Sequence, residues 1–156
     1  MNRLFSSWEN FLALGCGSGL SPVAPGTAGS VAAIPILLLL AQLPAVTYIG
    51  VVLIALALGI HICDLVVDES GIEDPGEVVW DEFVGFWITM TFVPLTWYWI
   101  AAAFLLFRLL DIAKPWPISY FDGLHGGRGI MLDDVVAGMI GCMILNIAVY
   151  AAGTVA

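Results

Sequence analysis

The stretch from Gly29 to Cys63, GSVAAIPILLLLAQLPAVTYIGVVLIALALGIHIC, holds no charged residue. A membrane-crossing helix needs roughly 20 apolar residues, so this run is too long for one crossing. Gln42, Pro44 and Thr47 interrupt it with the residues of a turn. The reading is a helical hairpin, out along 28–43 and back along 45–66. Two further windows, 83–107 and 135–156, are equally free of charge. The composition of the 156-residue chain agrees: 61% hydrophobic, 11% charged, mean hydropathy +1.02. A soluble domain carries about a quarter charged residues, so that class is excluded. The expectation is an all-α, polytopic membrane helix bundle folded as a single domain over 1–156.

The window 83–107 admits one tilted helix or two short ones broken at Pro94. As a hairpin it would borrow length from its flanks, about 77–93 and 95–112. The last window, after Asp133 and Asp134, is a single crossing. Lys and Arg flanking membrane spans tend to stay cytoplasmic. With two hairpins and a final crossing, about five membrane helices, Arg3, Arg108, Lys114 and Arg128 fall on one face. A single middle crossing would separate Arg3 from the other three. Under the two-hairpin arrangement the polar loops and all 13 acidic residues gather on that same cytoplasmic face. Trp97, Tyr98 and Trp99 follow Pro94 and read as an aromatic anchor on the opposite face.

Other features carry less. Residues 1–18 include Arg3 and Glu9 and lack the continuous apolar core of a cleaved signal peptide. Cys16, Cys63 and Cys142 are odd in number and lack CxxC spacing, so they read as small buried thiols rather than a disulfide or zinc site. A net charge of −9 gives no reason to expect a nucleic-acid partner. Ala137 and Gly141 form a small-xxx-small spacing that can pack helices within the bundle or between subunits, which leaves a homo-oligomer open.

Three polar segments interrupt the apolar sequence. The first, Gly15 to Ser30, is glycine-rich but has the spacing of neither a dinucleotide-binding loop nor a P-loop. It ends with Gly26, Thr27 and Ser30 at a helix start, where free backbone N–H groups favour an anion; a tight membrane-entry turn with Thr27 as N-cap is the equal alternative. The second, Asp74 to Gly85, sets Asp81 and Glu82 immediately before an apolar run. A carboxylate beside hydrocarbon is costly unless paired or metal-bound. Glu77, one turn earlier, can share the face of Asp81, whereas Asp68, Glu69, Glu73 and Asp74 read as a solvated acidic loop. The third holds Arg108, Asp111 and Lys114 before Pro115 and Pro117, then Asp122, His125, a glycine cluster with Arg128, and finally Asp133 and Asp134. Those last two are expected to open the final helix, where capping explains one aspartate but not a pair.

If the helices bundle, Asp81, Glu82, Asp111, Asp133 and Asp134 meet at the membrane surface. Such crowding is relieved by protonation or by a hard divalent cation, and oxygen-only ligands favour Mg²⁺ over zinc. Arg108, Lys114 and Arg128 interleave with these acids and suit a phosphate, the pattern of metal-assisted phosphoryl chemistry. His61, within an apolar helix, reads as a buried polar contact, and His125 as a loop residue for which contact with substrate is the lesser alternative.

Three blocks resemble the bacterial phosphatidylglycerophosphatase A family: GSGLSPVAPGTAGS from Gly17, DPGEVVWDEFVG from Asp74, and FRLLDIAKPWPI from Phe107 continuing through HGGRGIMLDDVVAG to Gly138. They stand in the family's order and cover the chain nearly end to end. Leu110 replaces the usual aromatic before Asp111, and the sequence after Gly138 diverges within the membrane. The resemblance implies a Mg²⁺-dependent lipid phosphatase of the bacterial inner membrane, its site facing the cytoplasm, that converts phosphatidylglycerophosphate to phosphatidylglycerol and phosphate. It implies Asp81, Glu82, Asp133 and Asp134 as metal ligands, with Asp111 a further ligand, base or nucleophile. Lys114, Arg128 and Arg108 would neutralise the phosphate, with Thr27, Gly26 and Ser30 as further donors. Metal-activated water is preferred to an aspartyl-phosphate as the route. A CDP-alcohol phosphotransferase is disfavoured because Asp122-Gly123 is followed by Leu-His-Gly-Gly and not by that family's motif. A channel is disfavoured because the acids avoid the apolar windows, and a mere scaffold leaves the glycine-rich loops without purpose.

Overall fold

The computed structural model describes residues 7–153, and every regular element among them is helical. Arg3, one of the four cations behind the expected topology, lies outside the described residues. The short α1 (Trp8–Ala13) leads through a 3-10 stretch (Gly15–Leu20) into α2 (Pro25–Leu40) and α3 (Ala45–Ser70). Then come α4 (Trp80–Thr89), α5 (Trp97–Ala113), the short α6 (Ile118–Asp122) and α7 (Gly126–Ala151). The helix breaks fall where expected: α2 ends in a turn just before Pro44 and α3 follows, and α4 is separated from α5 by the turn containing Pro94. α3 and α7 are each long and apolar enough to cross a membrane, and α2 is a shorter apolar helix.

Several boundaries differ from expectation, each for a local reason. α2 begins at Pro25, whose fixed φ suits the first helical position, after Ala24 in the left-handed conformation. Thr27 therefore sits inside the first turn and is not the cap. α7 begins at Gly126, so Asp133 and Asp134 lie about two turns inside it instead of opening it. α4 has only ten residues, 80–89, in place of 77–93. At 1.5 Å per residue it covers about 15 Å, half the hydrocarbon thickness.

A helix so short is held by what surrounds it. α4 packs mainly on α7 and α2, with α3 and α5 completing the enclosure, and Phe83, Val84, Phe86 and Trp87 are buried. Trp80 stacks on Phe83 at 5.6 Å, and Trp87 meets Phe83 edge-on at 5.8 Å between ring centroids. Both indoles also reach outward to backbone carbonyls: Trp80 Nε1 donates to Ala55 O at 3.0 Å and Trp87 Nε1 to Ala33 O at 3.1 Å. Tyr48 donates to Trp87 O at 2.6 Å, taking up a carbonyl near the end of α4. Each bond satisfies a polar group where no water competes.

α4 and α7 approach so closely because each presents a glycine. A Cβ built on Gly138 would fall 2.5 Å from Gly85 O, and one built on Gly85 would fall 2.9 Å from Asp134 O. Ala137 and Gly141 are buried as well, and a Cβ on Gly141 would lie 3.1 Å from Thr89 Cγ2. The small-residue stripe thus packs helices within the bundle. The outside is apolar: Val46, Ile54, Leu105 and Ile147 are all at least two-thirds exposed. A surface of this kind is abnormal for a soluble monomer. His61 is exposed on α3, against the expected buried contact, because its position on the helix turns outward. Of the cysteines only Cys63 is buried; Cys142 is half-buried and Cys16 exposed. Trp97, Tyr98 and Trp99 open α5, at the end of that helix remote from Asp111.

Gly138→Leu should force α4 from α7. Overpacking of this kind costs about 2 kcal/mol, a fall of roughly 5 °C in the detergent-solubilised melting temperature, measurable by thermal denaturation. An unchanged melting temperature would contradict the close helix contact.

Candidate active site

Where α4 begins and α5 ends, beside the second and third turns of α7, the bundle opens into a cleft of about 340 Å³. Asp81 and Glu82 enter from α4, Arg108 and Asp111 from α5, and Asp133 from α7. Lys114 and Asp122 come from the connection between α5 and α7, and Gly26 from the first turn of α2. Three sequence segments far apart in the chain thus meet at one end of the bundle.

The acids divide into two groups. Asp111, Asp133 and Asp134 can each offer one carboxylate oxygen within 4.8 Å of the others. Asp134 is almost fully buried, its Oδ2 has no partner, and its backbone N–H donates to Asp133 Oδ1 at 2.9 Å. Asp81 is half-buried, yet its Oδ1 is sealed from solvent and also lacks a partner. Glu82 is turned elsewhere. Its carboxylate meets Arg108 Nη1 and accepts from Ser30 Oγ at 2.9 Å. Arg108 Nη1 also donates to Asp111 Oδ2 at 2.7 Å, so this guanidinium joins the two groups.

Lys114 forms the second bridge. It ends α5 in the left-handed conformation, and its Nζ contacts Asp122 and donates to Asp133 Oδ2 at 2.6 Å. Burial alone would lower its pKa, but the hydrogen bonds and charges of Asp122 and Asp133 hold it above the usual lysine value. Lys114 is therefore cationic wherever the bundle is folded at neutral pH.

Three carboxylates at this spacing repel by on the order of 3 kcal/mol per pair at an effective dielectric of 20. Two bound cations do not balance the six acids Asp81, Glu82, Asp111, Asp122, Asp133 and Asp134. The unpartnered buried oxygens of Asp81 and Asp134 add a second deficit, since an unsatisfied buried acceptor is costly. A hard divalent cation with all-oxygen ligands would remedy both, so the residues present fit Mg²⁺.

Other residues singled out in the sequence fall around the cleft. Ser30 is fully buried and reaches the site only through Glu82. Thr27 is half-buried on α2 and does not line the cleft; Arg128 is exposed on the first turn of α7 and does not line it either. Glu77 is exposed in the loop before α4, outside the face of Asp81. Glu73 and Asp74 line the mouth, and His125 faces Glu73 at 3.9 Å with both side chains largely exposed. Most of the glycine-rich segment has a packing role: a Cβ on Gly19 would collide with Glu77 O and one on Gly29 with Val79. Gly26 alone of that segment's glycines lines the cleft.

Asp64 was not visible as a functional position. From α3 its Oδ1 accepts the backbone N–H of Gly127 at 2.6 Å, an N-terminal cap supplied to α7 by a neighbouring helix. The sequence signal available is Asp64 itself, an acid one position past the end of an apolar window.

Comparison with known proteins agrees with this geometry. The family model for Phosphatidylglycerophosphatase A matches residues 11–149. The Phosphatidylglycerophosphatase A of Escherichia coli (strain K12) is 48% identical over 145 residues, covering 92% of this chain and 84% of the relative. The Haemophilus influenzae protein of the same name is 43% identical, covering 87% and 85%. A Bacteroides thetaiotaomicron protein, named provisionally as a phosphatidylinositol-3-phosphatase, is 42% identical, covering 89% and 92%. No solved structure matches the chain. Fold, site and relatives define an all-helical phosphatase with an apolar exterior. The chain belongs to the phosphatidylglycerophosphatase A family.

Asp64→Ala should remove the cap from α7 at a cost of about 1 kcal/mol. The expected result is a lower melting temperature and faster amide exchange confined to the first turn of α7, read by hydrogen-exchange mass spectrometry. Exchange unchanged in that turn would contradict the cap.

Proposed function

We propose that this chain hydrolyses phosphatidylglycerophosphate to phosphatidylglycerol and phosphate at the cytoplasmic face of a bacterial inner membrane, using Mg²⁺. The observation that carries the reading is the single cleft in which clustered carboxylates, two of them with unpartnered buried oxygens, stand against Arg108 and Lys114. Family membership supplies the substrate, and the apolar outer surface gives a diacyl lipid a medium in which to present its head group. Five membrane helices with the cleft on the cytoplasmic side remain the topology that best gathers the charged residues on one face.

Asp133, Asp134 and Asp81 would hold the metal. Bound there, Mg²⁺ would polarise the phosphoryl group and promote ionisation of water. Lys114 and Arg108 neutralise the phosphate's charge, the electrostatic contribution on which phosphoryl transfer chiefly depends. Asp111, beside Arg108 and exposed to the cleft, accepts the proton of the attacking water. The new P–O bond forms to that water oxygen, the ester P–O bond breaks, and the glycerol oxygen leaves to take up a proton from solvent. Enclosure by α4, α5 and α7 restricts the approach of water and strengthens these interactions.

Phosphate release from phosphatidylglycerophosphate in detergent, with phosphatidylinositol 3-phosphate as comparison substrate, tests the reading. Activity should require Mg²⁺, favour the first lipid, and fall at least 100-fold in Asp81→Asn, Asp111→Asn and Asp133→Asn. Retained metal-dependent activity in all three variants would sink the site assignment. Topology has its own check: a thiol reagent should reach Leu124→Cys from the cytoplasmic side, and labelling from the periplasm would reject the two-hairpin arrangement.

A further inference from the structure

The proposed hydrolysis leaves Glu82 without a part, although it is buried and lines the cleft. Both of its oxygens are engaged by the protein. They meet Arg108 Nη1, and Oε2 also accepts from Ser30 Oγ. Ser30 is itself fully buried and anchored against Gly26 O at 3.0 Å. Gly26 completes the enclosure, because a Cβ there would fall 2.1 Å from Glu82 Oε1 and 3.2 Å from Arg108 Nη1 and Nη2. α2, α4 and α5 are thus tied together at one guanidinium.

The donors of that guanidinium are used unevenly. Among the described residues Nη1 carries every bond, to Glu82 and Asp111. Nε is buried with no partner, and among the described residues no hydrogen bond uses Nη2. Nε and Nη2 form one edge of the planar group, the edge that takes two oxygens of a phosphate side by side. A buried donor left bare is costly, which marks this edge as waiting for an acceptor.

We propose that Arg108 grips the substrate phosphate by its Nε/Nη2 edge, and that Glu82 and Ser30 are positioning residues that hold the opposite side of the guanidinium and are not metal ligands. The proposal rests on the phosphate-ester reading above. It assigns Glu82 a role different from that of Asp81 beside it. A glutamate that grips Nη1 while itself held by Ser30 fixes the arginine's rotation, so the free edge meets the phosphate without a search for its orientation.

Binding measurements on the purified, detergent-solubilised protein separate the roles. Titration calorimetry with Mg²⁺ alone, and with inorganic phosphate at saturating Mg²⁺, would be run on wild type, Glu82→Gln, Ser30→Ala, Arg108→Lys and the Glu82→Gln/Arg108→Lys double variant. Gln keeps the size of the glutamate, and melting temperatures check that each variant is folded. Glu82→Gln and Ser30→Ala should each weaken phosphate binding, Glu82→Gln by about tenfold as expected for losing a charge-assisted bond, with Mg²⁺ affinity within about twofold of wild type. The double variant should bind phosphate no worse than Arg108→Lys, because Glu82 acts through Arg108. A tenfold loss of Mg²⁺ affinity in Glu82→Gln would overturn the proposal by making Glu82 a ligand. Additive losses in the double variant would overturn it by making the two residues independent. Turnover of phosphatidylglycerophosphate by the wild type is scored separately, so a wrong substrate would show there while phosphate binding still judged Arg108.

Discussion

Carboxylates cannot be left bare beside hydrocarbon, and three helices of this chain each bring acids to one end of an apolar bundle. The remaining architecture depends on making that convergence tolerable. Arg108 and Lys114 offset part of the charge, each spanning two acids from different segments of the chain. Neither cation satisfies Asp134 Oδ2 or Asp81 Oδ1. A buried charge missing its partner weakens a fold far more than a neutral defect, so these two oxygens mark where the charge balance of the bundle is incomplete.

α4 is the element on which the convergence turns. It is enclosed by four helices and has ten residues where they have 16 to 26. Such a helix contributes almost no outer surface; its work is to deliver Asp81 and Glu82 at its first turn. The indoles of Trp80 and Trp87 set its height by bonding α3 and α2, and Gly85 against Gly138 sets its distance from α7. At the far end Asn146 of α7 donates to Thr91 O, closing the turn that follows α4. Height and distance together decide whether the α4 acids reach those of α7.

Much of this was legible in the sequence, and the exceptions share a cause. Charge-free windows, the turn at Pro44 and the break at Pro94 located the hairpins, because hydrophobic length and proline stereochemistry are local properties. The segments containing Asp81, Asp111, Lys114 and Asp133 were recognisable because ionisable residues at the edge of apolar runs are rare. What escaped was orientation. Asp133 and Asp134 looked like the opening of a helix, yet Gly126 starts it two turns earlier, where Asp64 from α3 supplies the cap. Of two neighbours in sequence, Glu82 is held by Arg108 and Ser30 while Asp81 Oδ1 has no partner, and Thr27 and Arg128 lie off the cleft while Ser30 reaches it through an intermediary. Each of these depends on how one helix is rotated against another, which no single segment encodes. α4 was drawn too long because an unbroken apolar run is equally compatible with a crossing and with a short enclosed helix.

The acidic mouth of the cleft acts on any anion that crosses it. Glu73 and Asp74 stand at the rim, outside the paired charges of the interior. On the function proposed above, a lipid ester held in a bilayer by its acyl chains would not need to cross that rim. Inorganic phosphate in the surrounding water has no such attachment, and its path into the cleft runs past two carboxylates of its own sign. That repulsion is felt within a Debye length of about 8 Å, before the ion reaches Arg108 and Lys114. A fixed field opposes an anion at the rim in either direction of travel, so Glu73 and Asp74 slow the exchange of aqueous phosphate with the cleft without setting its direction.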